Sequence, residues 1–188
     1  MDEKHTILTL QAMCPYDEME ALEKEIIIKY LQTHEDAYFR ENLIAHMTAS
    51  CWIVNPTRDK VLLIYHNLYD SWGWCGGHAD GECDLLQVAI KEAKEETGLV
   101  TLKQLKETPL SCEILPVDRH YKHGKAVNAH LHLNLTYAFE ADETQCLRVK
   151  PDENSGVAWF DIKTYESVIT ETNMIGIYRK LTNQILKR

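Results

Sequence analysis

The chain has 188 residues and a formal net charge of −9, with 45% hydrophobic and 26% charged residues. That length suits one domain with an ordinary core, and the composition excludes a disordered chain or one built to span a bilayer. The acidity argues against general nucleic-acid binding and against anionic membranes, and a small anionic partner would need metal ions or local bases to offset the field.

The first residues, MDEKHTILTL, lack a basic segment followed by a long apolar one, so no signal peptide is expected. Six cysteines are scattered without a C-x-x-C pair and read as reduced thiols of a cytoplasmic protein. Residues 1–45 read as an N-terminal helical extension, too short for its own core and expected to pack on the main body or on a second subunit. Within it, Ile7, Leu8 and Leu10 predict a short strand or extended segment. Asp17 starts a helix with Glu20 placed for a capping box, and Met19, Leu22, Ile26 and Tyr30 form its apolar stripe. Phe39, Leu43 and Ile44 predict further helical structure towards His46.

Residues 46–188 read as the main domain. MTASCWIVN and KVLLIYHN predict a hairpin around the turn PTRD, feeding the Gly-rich turn WGWCGGHADG. A helix follows, with Asp84 as N-cap and Gly98 as its left-handed stop. Residues 113–117 and 129–139 predict strands. In the second, His130, His132, Asn134 and Thr136 alternate with Leu131, Leu133, Leu135 and Tyr137, which gives one polar and one apolar face. VAWFDI at 157–162 predicts another strand, and Met174, Ile177, Tyr178, Leu181 and Ile185 a final amphipathic helix. Strands mixed with a few helices, without regular βαβ alternation, indicate α+β layers.

The acids of the helix after the Gly-rich turn carry the chemistry. At about 100° per residue, Leu85, Leu86, Ala89, Ile90 and Ala93 form one apolar face. Glu92, Glu95 and Glu96 share one flank at i, i+3, i+4, and Glu96 falls between the directions of Leu85 and Ala89. Clustered carboxylates beside a core are costly unless protonated, paired or bound to a cation, and hard divalent ions take such oxygen ligands.

The stretch from Gly77 to Leu99 resembles the signature box of the Nudix hydrolases: Gly, five residues, Glu, seven residues, then Arg-Glu-apolar-any-Glu-Glu-any-Gly-apolar. Gly77, Glu92, Ala93, Glu95, Glu96, Gly98 and Leu99 match in place. Cys83 stands at the first Glu, with Glu82 adjacent. Lys91 stands at the Arg and lacks the bidentate fork of a guanidinium. The resemblance runs from about His46 to Phe160. It implies the Nudix fold, a mixed sheet sandwiched between helices. It also implies Mg²⁺ (or Mn²⁺) held by Glu92, Glu95, Glu96 and the Gly77 carbonyl, and hydrolysis of a small nucleoside diphosphate linked to another moiety, X. Glu92 or Glu95 is then the candidate base, and Lys91 steadies the cluster or touches phosphate. A homodimer follows only by analogy of fold.

Other residues are candidates for the same site. His78 sits in the Gly-rich turn, and His130 and His132 share one strand face; gathered, they would bind phosphate or an extra metal. Arg119, His120, Lys122, His123 and Lys125 form a basic loop that would gate the cleft and meet substrate phosphates or, more ordinarily, be a solvated hairpin tip. Trp52, Tyr69, Trp72 and Trp74 offer stacking or, more ordinarily, core. Two other functions are open. One is an isomerase of the isopentenyl-diphosphate type, although Gly76 occupies the position of that group's thiol. The other is a non-catalytic nucleotide-sensing module, which Cys83 and Lys91 would suit.

Overall fold

The computed structural model describes residues 3–122 and 124–187; His123 of the basic loop lies outside them. In chain order the elements are α1 (Glu3–Ala12), α2 (Glu18–Leu31), β1 (Ala45–Val54), β2 (Lys60–His66), β3 (Ser71–Gly73), β4 (Cys75–His78), α3 (Leu85–Thr97), β5 (Lys103–Gln104), β6 (Ser111–Val117), β7 (His120–Lys122), β8 (Lys125–Val127), β9 (His130–Glu140), β10 (Asn154–Asp161), a 3₁₀ turn (Tyr165–Val168) and α4 (Thr172–Leu186). Among these residues no helix is long and apolar enough to cross a membrane.

β1 is the hub of an eight-stranded mixed sheet, buried along its whole length. It runs parallel to β9, with His46 opposite His132 and Ser50 opposite Thr136. It runs antiparallel to β2, as the hairpin reading expects, and to β4, where Thr48 faces His78. Alternation along β1 feeds two cores. Met47, Ala49, Cys51 and Ile53 join Leu85, Ala89 and Ala93 of α3. Trp52 and Val54 join Tyr178, Leu181 and Ile185 of α4. Each fully buried large aliphatic side chain contributes about 1.5–3 kcal/mol. The layers are therefore helix, sheet and helix, the α+β arrangement expected. The face that carries Trp52 becomes polar towards the start of β1, at His46, Thr48 and Ser50. There α4 no longer covers it, and the sheet opens into a cleft.

Three expectations for the N-terminal part are corrected. Residues 7–10 are not a strand but part of α1. Thr6, Leu10 and Met13 are buried at i, i+4, i+7, and the Thr6 hydroxyl donates to the Cys83 carbonyl at 3.0 Å. The apolar stripe of α2 is also different: Met19, Leu22 and Ile26 are exposed, while Ile27, Ile28 and Leu31 are buried together with Glu20. The helix is turned by Glu20, whose carboxylate accepts from Ser111 Oγ and from Lys180 Nζ on the protein body. Asp17 caps it as expected, accepting from Glu20 N at 2.8 Å. Finally, residues 39–44 form turns, not helix. The buried Asn42 side chain donates to Asp36 and accepts from the Ile44 and Ala45 N–H groups, offering the backbone an alternative to helical bonding.

Candidate active site

α3 begins at Asp84, which accepts from Gln87 N, and stops at Gly98 with φ 77°, so its length and phase are fixed at both ends. That phase turns Glu92 and Glu96 inward, where they are 9% and 2% exposed. They press on the two glycines of β4. A Cβ on Gly77 would lie 2.6 Å from the Glu92 carboxyl carbon, and one on Gly76 would lie 2.5 Å from the Ala49 carbonyl oxygen. The Gly76 N–H donates to Glu96 at 2.9 Å. The Gly-rich segment is thus a strand in which Gly77 makes room for Glu92, while Gly76 lets the strand lie close against β1 and offers its amide to Glu96.

Burial pushes the Glu96 carboxyl up to about 8; the Gly76 amide works against this and the neighbouring Glu92 charge adds to it. Burial raises Glu92 as well. Among the described residues no ion pair reaches Glu96. Lys150 directs its ammonium to Glu95 at 3.0 Å and to Glu153 at 2.9 Å. Glu95 is exposed, and Lys91 stands 3.9 and 4.0 Å from the Glu92 and Glu95 carboxylates on an open side chain.

Gly76, Gly77, Glu92 and Glu96 line one part of a cleft of about 740 Å³. His46, His78, His130 and His132 line another part of it. Burial drives His132 down to about 3, and the closeness of the other imidazoles disfavours a charge there as well, so it is neutral at ordinary pH. Of the residues singled out from the sequence, the cleft brings together Gly77, His78, Glu92, Glu96, His130 and His132. Glu95, Lys91 and Arg119 do not line it. His120 of the basic loop does, from the β7–β8 hairpin. Trp52 is core, and Tyr69 stands at the open rim with Leu43, Leu68 and Tyr121.

Among the cleft residues, sequence reasoning missed Glu153 and Arg40 and left His46 unplaced. Glu153 precedes β10, and only the acidic pair Asp152–Glu153 before a strand marked it. Arg40 is held by a bidentate pair with Asp80 at 2.5 and 2.6 Å, across a separation that spacing does not reveal. His46 was in view, but its place beside His132 depends on the parallel β1–β9 register.

A family model of the NUDIX domain matches residues 45–181. The chain belongs to the Nudix family. Its enzyme class is that of the Nudix hydrolases, as the resemblance in the sequence implied. A search of curated protein sequences gives no match. Solved structures share the fold at low identity. A Nudix-family hydrolase from Clostridium perfringens is 20% identical with a TM-score of 0.55, covering 74% of this chain and 97% of that one. A Caenorhabditis elegans Ap4A hydrolase in a binary complex is 18% identical with a TM-score of 0.54, covering 74% and 96%. The NUDIX domain of Shewanella oneidensis NrtR, complexed with ADP ribose, is 17% identical with a TM-score of 0.52, covering 84% and 97%.

Proposed function

We propose that this Nudix protein hydrolyses a phosphoanhydride bond in a small nucleoside diphosphate linked to a second moiety, using a divalent ion. The observation that carries the reading is the buried Glu92–Glu96 pair, wedged against Gly76 and Gly77 at the edge of an open cleft. Oxygen donors of this kind suit Mg²⁺ or Mn²⁺. Two carboxylates made costly by burial are the donors that such an ion would relieve. When bound, the ion supplies charge to offset the phosphates and lowers the pKa of its water.

Glu92, Glu96 and Gly77 would hold the ion. Glu95 would join them only on leaving Lys150, and Lys91 tempers the charge of Glu92 and Glu95 from the solvent side. Glu92, Glu95 and Glu153 are the carboxylates available to take a proton from the attacking water. The rim of Leu43, Leu68, Tyr69 and Tyr121 gives a base or the X group an apolar surface. The C. elegans relative is an Ap4A hydrolase, and the Shewanella domain is complexed with ADP ribose; both names support a nucleotide diphosphate. The isomerase reading is disfavoured at Gly76, where a thiol-bearing Cβ would collide with the Ala49 carbonyl. Self-association as a homodimer belongs to this reading by analogy alone, and sedimentation tests it.

The deciding experiment is a panel of nucleoside diphosphate derivatives with Mg²⁺ or Mn²⁺, run on wild type beside Glu96→Gln. Phosphate or nucleoside monophosphate release from wild type, abolished in the variant, is expected. Ligand-dependent thermal stabilisation with no turnover would overturn hydrolysis in favour of a sensing module.

A further inference from the structure

Four imidazoles from three neighbouring strands converge in the cleft. β1 supplies His46, β4 supplies His78, and β9 supplies His130 and His132; one ring nitrogen from each lies within 4.8 Å of all the others. The His46 ring sits 5.1, 4.9 and 5.2 Å, centroid to centroid, from those of His78, His130 and His132. The sheet builds this cluster. His46 is opposite His132 in the parallel register, and His130 is two residues along on the same face.

Hydrogen bonding on the far side of the rings orients two of them. His46 Nδ1 lies 3.0 Å from the Asn42 carbonyl, and His130 Nδ1 lies 2.9 Å from the Asn128 carbonyl. A carbonyl only accepts, so each Nδ1 carries the proton and each Nε2 presents a bare lone pair. His46 is 4% exposed, and its Nε2 is buried with no hydrogen-bond partner among the described residues. A buried lone pair without a donor needs an explanation. His130 Nε2 and His132 Nε2 are 3.2 Å apart. That matches the edge of a nitrogen tetrahedron around zinc, roughly 3.3 Å for Zn–N bonds near 2.0–2.1 Å. The widest pair must close by roughly 1.5 Å to reach that edge, a matter of ring rotation. His66, also on the cleft wall, bonds the Trp74 carbonyl at 2.8 Å and stays outside the cluster.

We infer that His46, His78, His130 and His132 form a second metal site, for a borderline divalent transition ion of the zinc type. The donor chemistry separates it from the glutamates: imidazole suits zinc, iron, copper or nickel, whereas carboxylate suits magnesium or manganese. Four neutral donors leave the ion its full double charge. Three of the four rings are half-buried, so that charge faces the open cleft. An acidic chain would thereby acquire a fixed positive centre where an anionic substrate enters.

The test uses the whole 188-residue chain, stripped with EDTA, dialysed and titrated with Co²⁺ and then Zn²⁺, without substrate. Metal content is read independently of hydrolysis, so this site can fail while the proposed hydrolysis stands, and the reverse. One Co²⁺ per chain is expected, with the intense visible absorption of a tetrahedral nitrogen site, displaced by Zn²⁺ but not by excess Mg²⁺. The spectrum should persist in Glu92→Gln/Glu96→Gln and vanish in His46→Gln/His132→Gln. Because His46 is buried, the half-buried His130→Gln is run as well, with circular dichroism as a fold check; a fall in Co²⁺ affinity of about tenfold or more is expected. Unchanged affinity in that variant, no binding by wild type, or a spectrum lost only with the glutamates would overturn the site. So would stabilisation by inorganic phosphate in EDTA that disappears in His130→Gln, which would make the cluster an anion site instead.

Discussion

Two pairs of buried glutamates lie in or against this sheet, and they are satisfied in different ways. Glu20 and Glu113 share Lys180, whose ammonium lies 2.9 and 3.0 Å from them. Ser111 Oγ, with one proton to donate, lies within hydrogen-bonding reach of both, Asn134 and Thr136 donate to Glu113, and the Cys112 amide donates to Glu20. Glu92 and Glu96 are about as well buried, but the Gly76 amide is the donor at Glu96, and Lys150 turns to Glu95 and Glu153. The first pair carries its own counter-ion and ties α2 to β6 and α4. The second pair leaves its charge to be met from the cleft. A cluster of acids is therefore not a metal site by virtue of clustering; what distinguishes it is whether the chain supplies the cation.

That contrast can be broken at its strongest point first. Glu96→Gln should lower hydrolysis by about 10³-fold, equivalent to about 4 kcal/mol of barrier. Its thermal stability should match wild type at neutral pH, where Glu96 is largely protonated, and exceed it above pH 8, where the carboxyl would be charged beside Glu92. Lys180→Met should do the opposite. Two carboxylates would remain buried without a counter-ion, a loss of about 3–5 kcal/mol by urea denaturation, with activity per folded molecule retained. If Glu96→Gln unfolds the protein while Lys180→Met is silent, the two pairs have been assigned the wrong way round.

The sequence made one member of the contrast legible and hid the other. The box helix was readable because its acids lie within one turn and its boundaries, Asp84 and Gly98, use local chemistry. The hairpin of β1 and β2, the strands β6, β9 and β10, and α4 were readable from periodicity. Glu20 and Glu113 come from distant elements, and Lys180 from a third, so no spacing connects them. The same blindness inverted α2. Its true inner face carries a glutamate, and hydrophobicity alone selects Met19, Leu22 and Ile26. α1 was lost because ILTL alternates like a strand, whereas its buried positions repeat every three to four residues. The histidine cluster needed the β1–β9 register, which only the folded sheet supplies.

The pH dependence sharpens the comparison further. The folded-state pKa of Glu96 is raised from 4.5 to about 8, so the folded protein binds that proton more tightly than the unfolded chain. Its contribution to stability is fully present below 4.5 and is lost as pH rises through 8. In EDTA, stability should therefore fall between these limits by on the order of 5 kcal/mol. The slope should flatten in Glu96→Gln and shrink with millimolar Mg²⁺. Denaturation at a series of pH values reads this directly, and a slope unchanged in the variant would assign it to other groups.

The smallest effect belongs to Glu95, the acid of the box that the fold leaves outside. Its carboxylate is exposed, 3.0 Å from Lys150 and 4.0 Å from Lys91. Exposed pairs of this kind contribute roughly 0.2–1 kcal/mol, so Glu95→Gln should barely move the unfolding midpoint. Its activity should fall by about tenfold, or about 1.4 kcal/mol, because Glu95 can assist the ion only after leaving Lys150. Lys150→Met separates the two contributions. It frees Glu95 and removes a cation that screens Glu92, so it should strengthen Mg²⁺ dependence in wild type and do less in the Glu95→Gln background. An effect of Glu95→Gln as large as that of Glu96→Gln would mean that the working enzyme draws the exposed acid fully into the cleft, and that burial in the resting fold does not rank the three carboxylates.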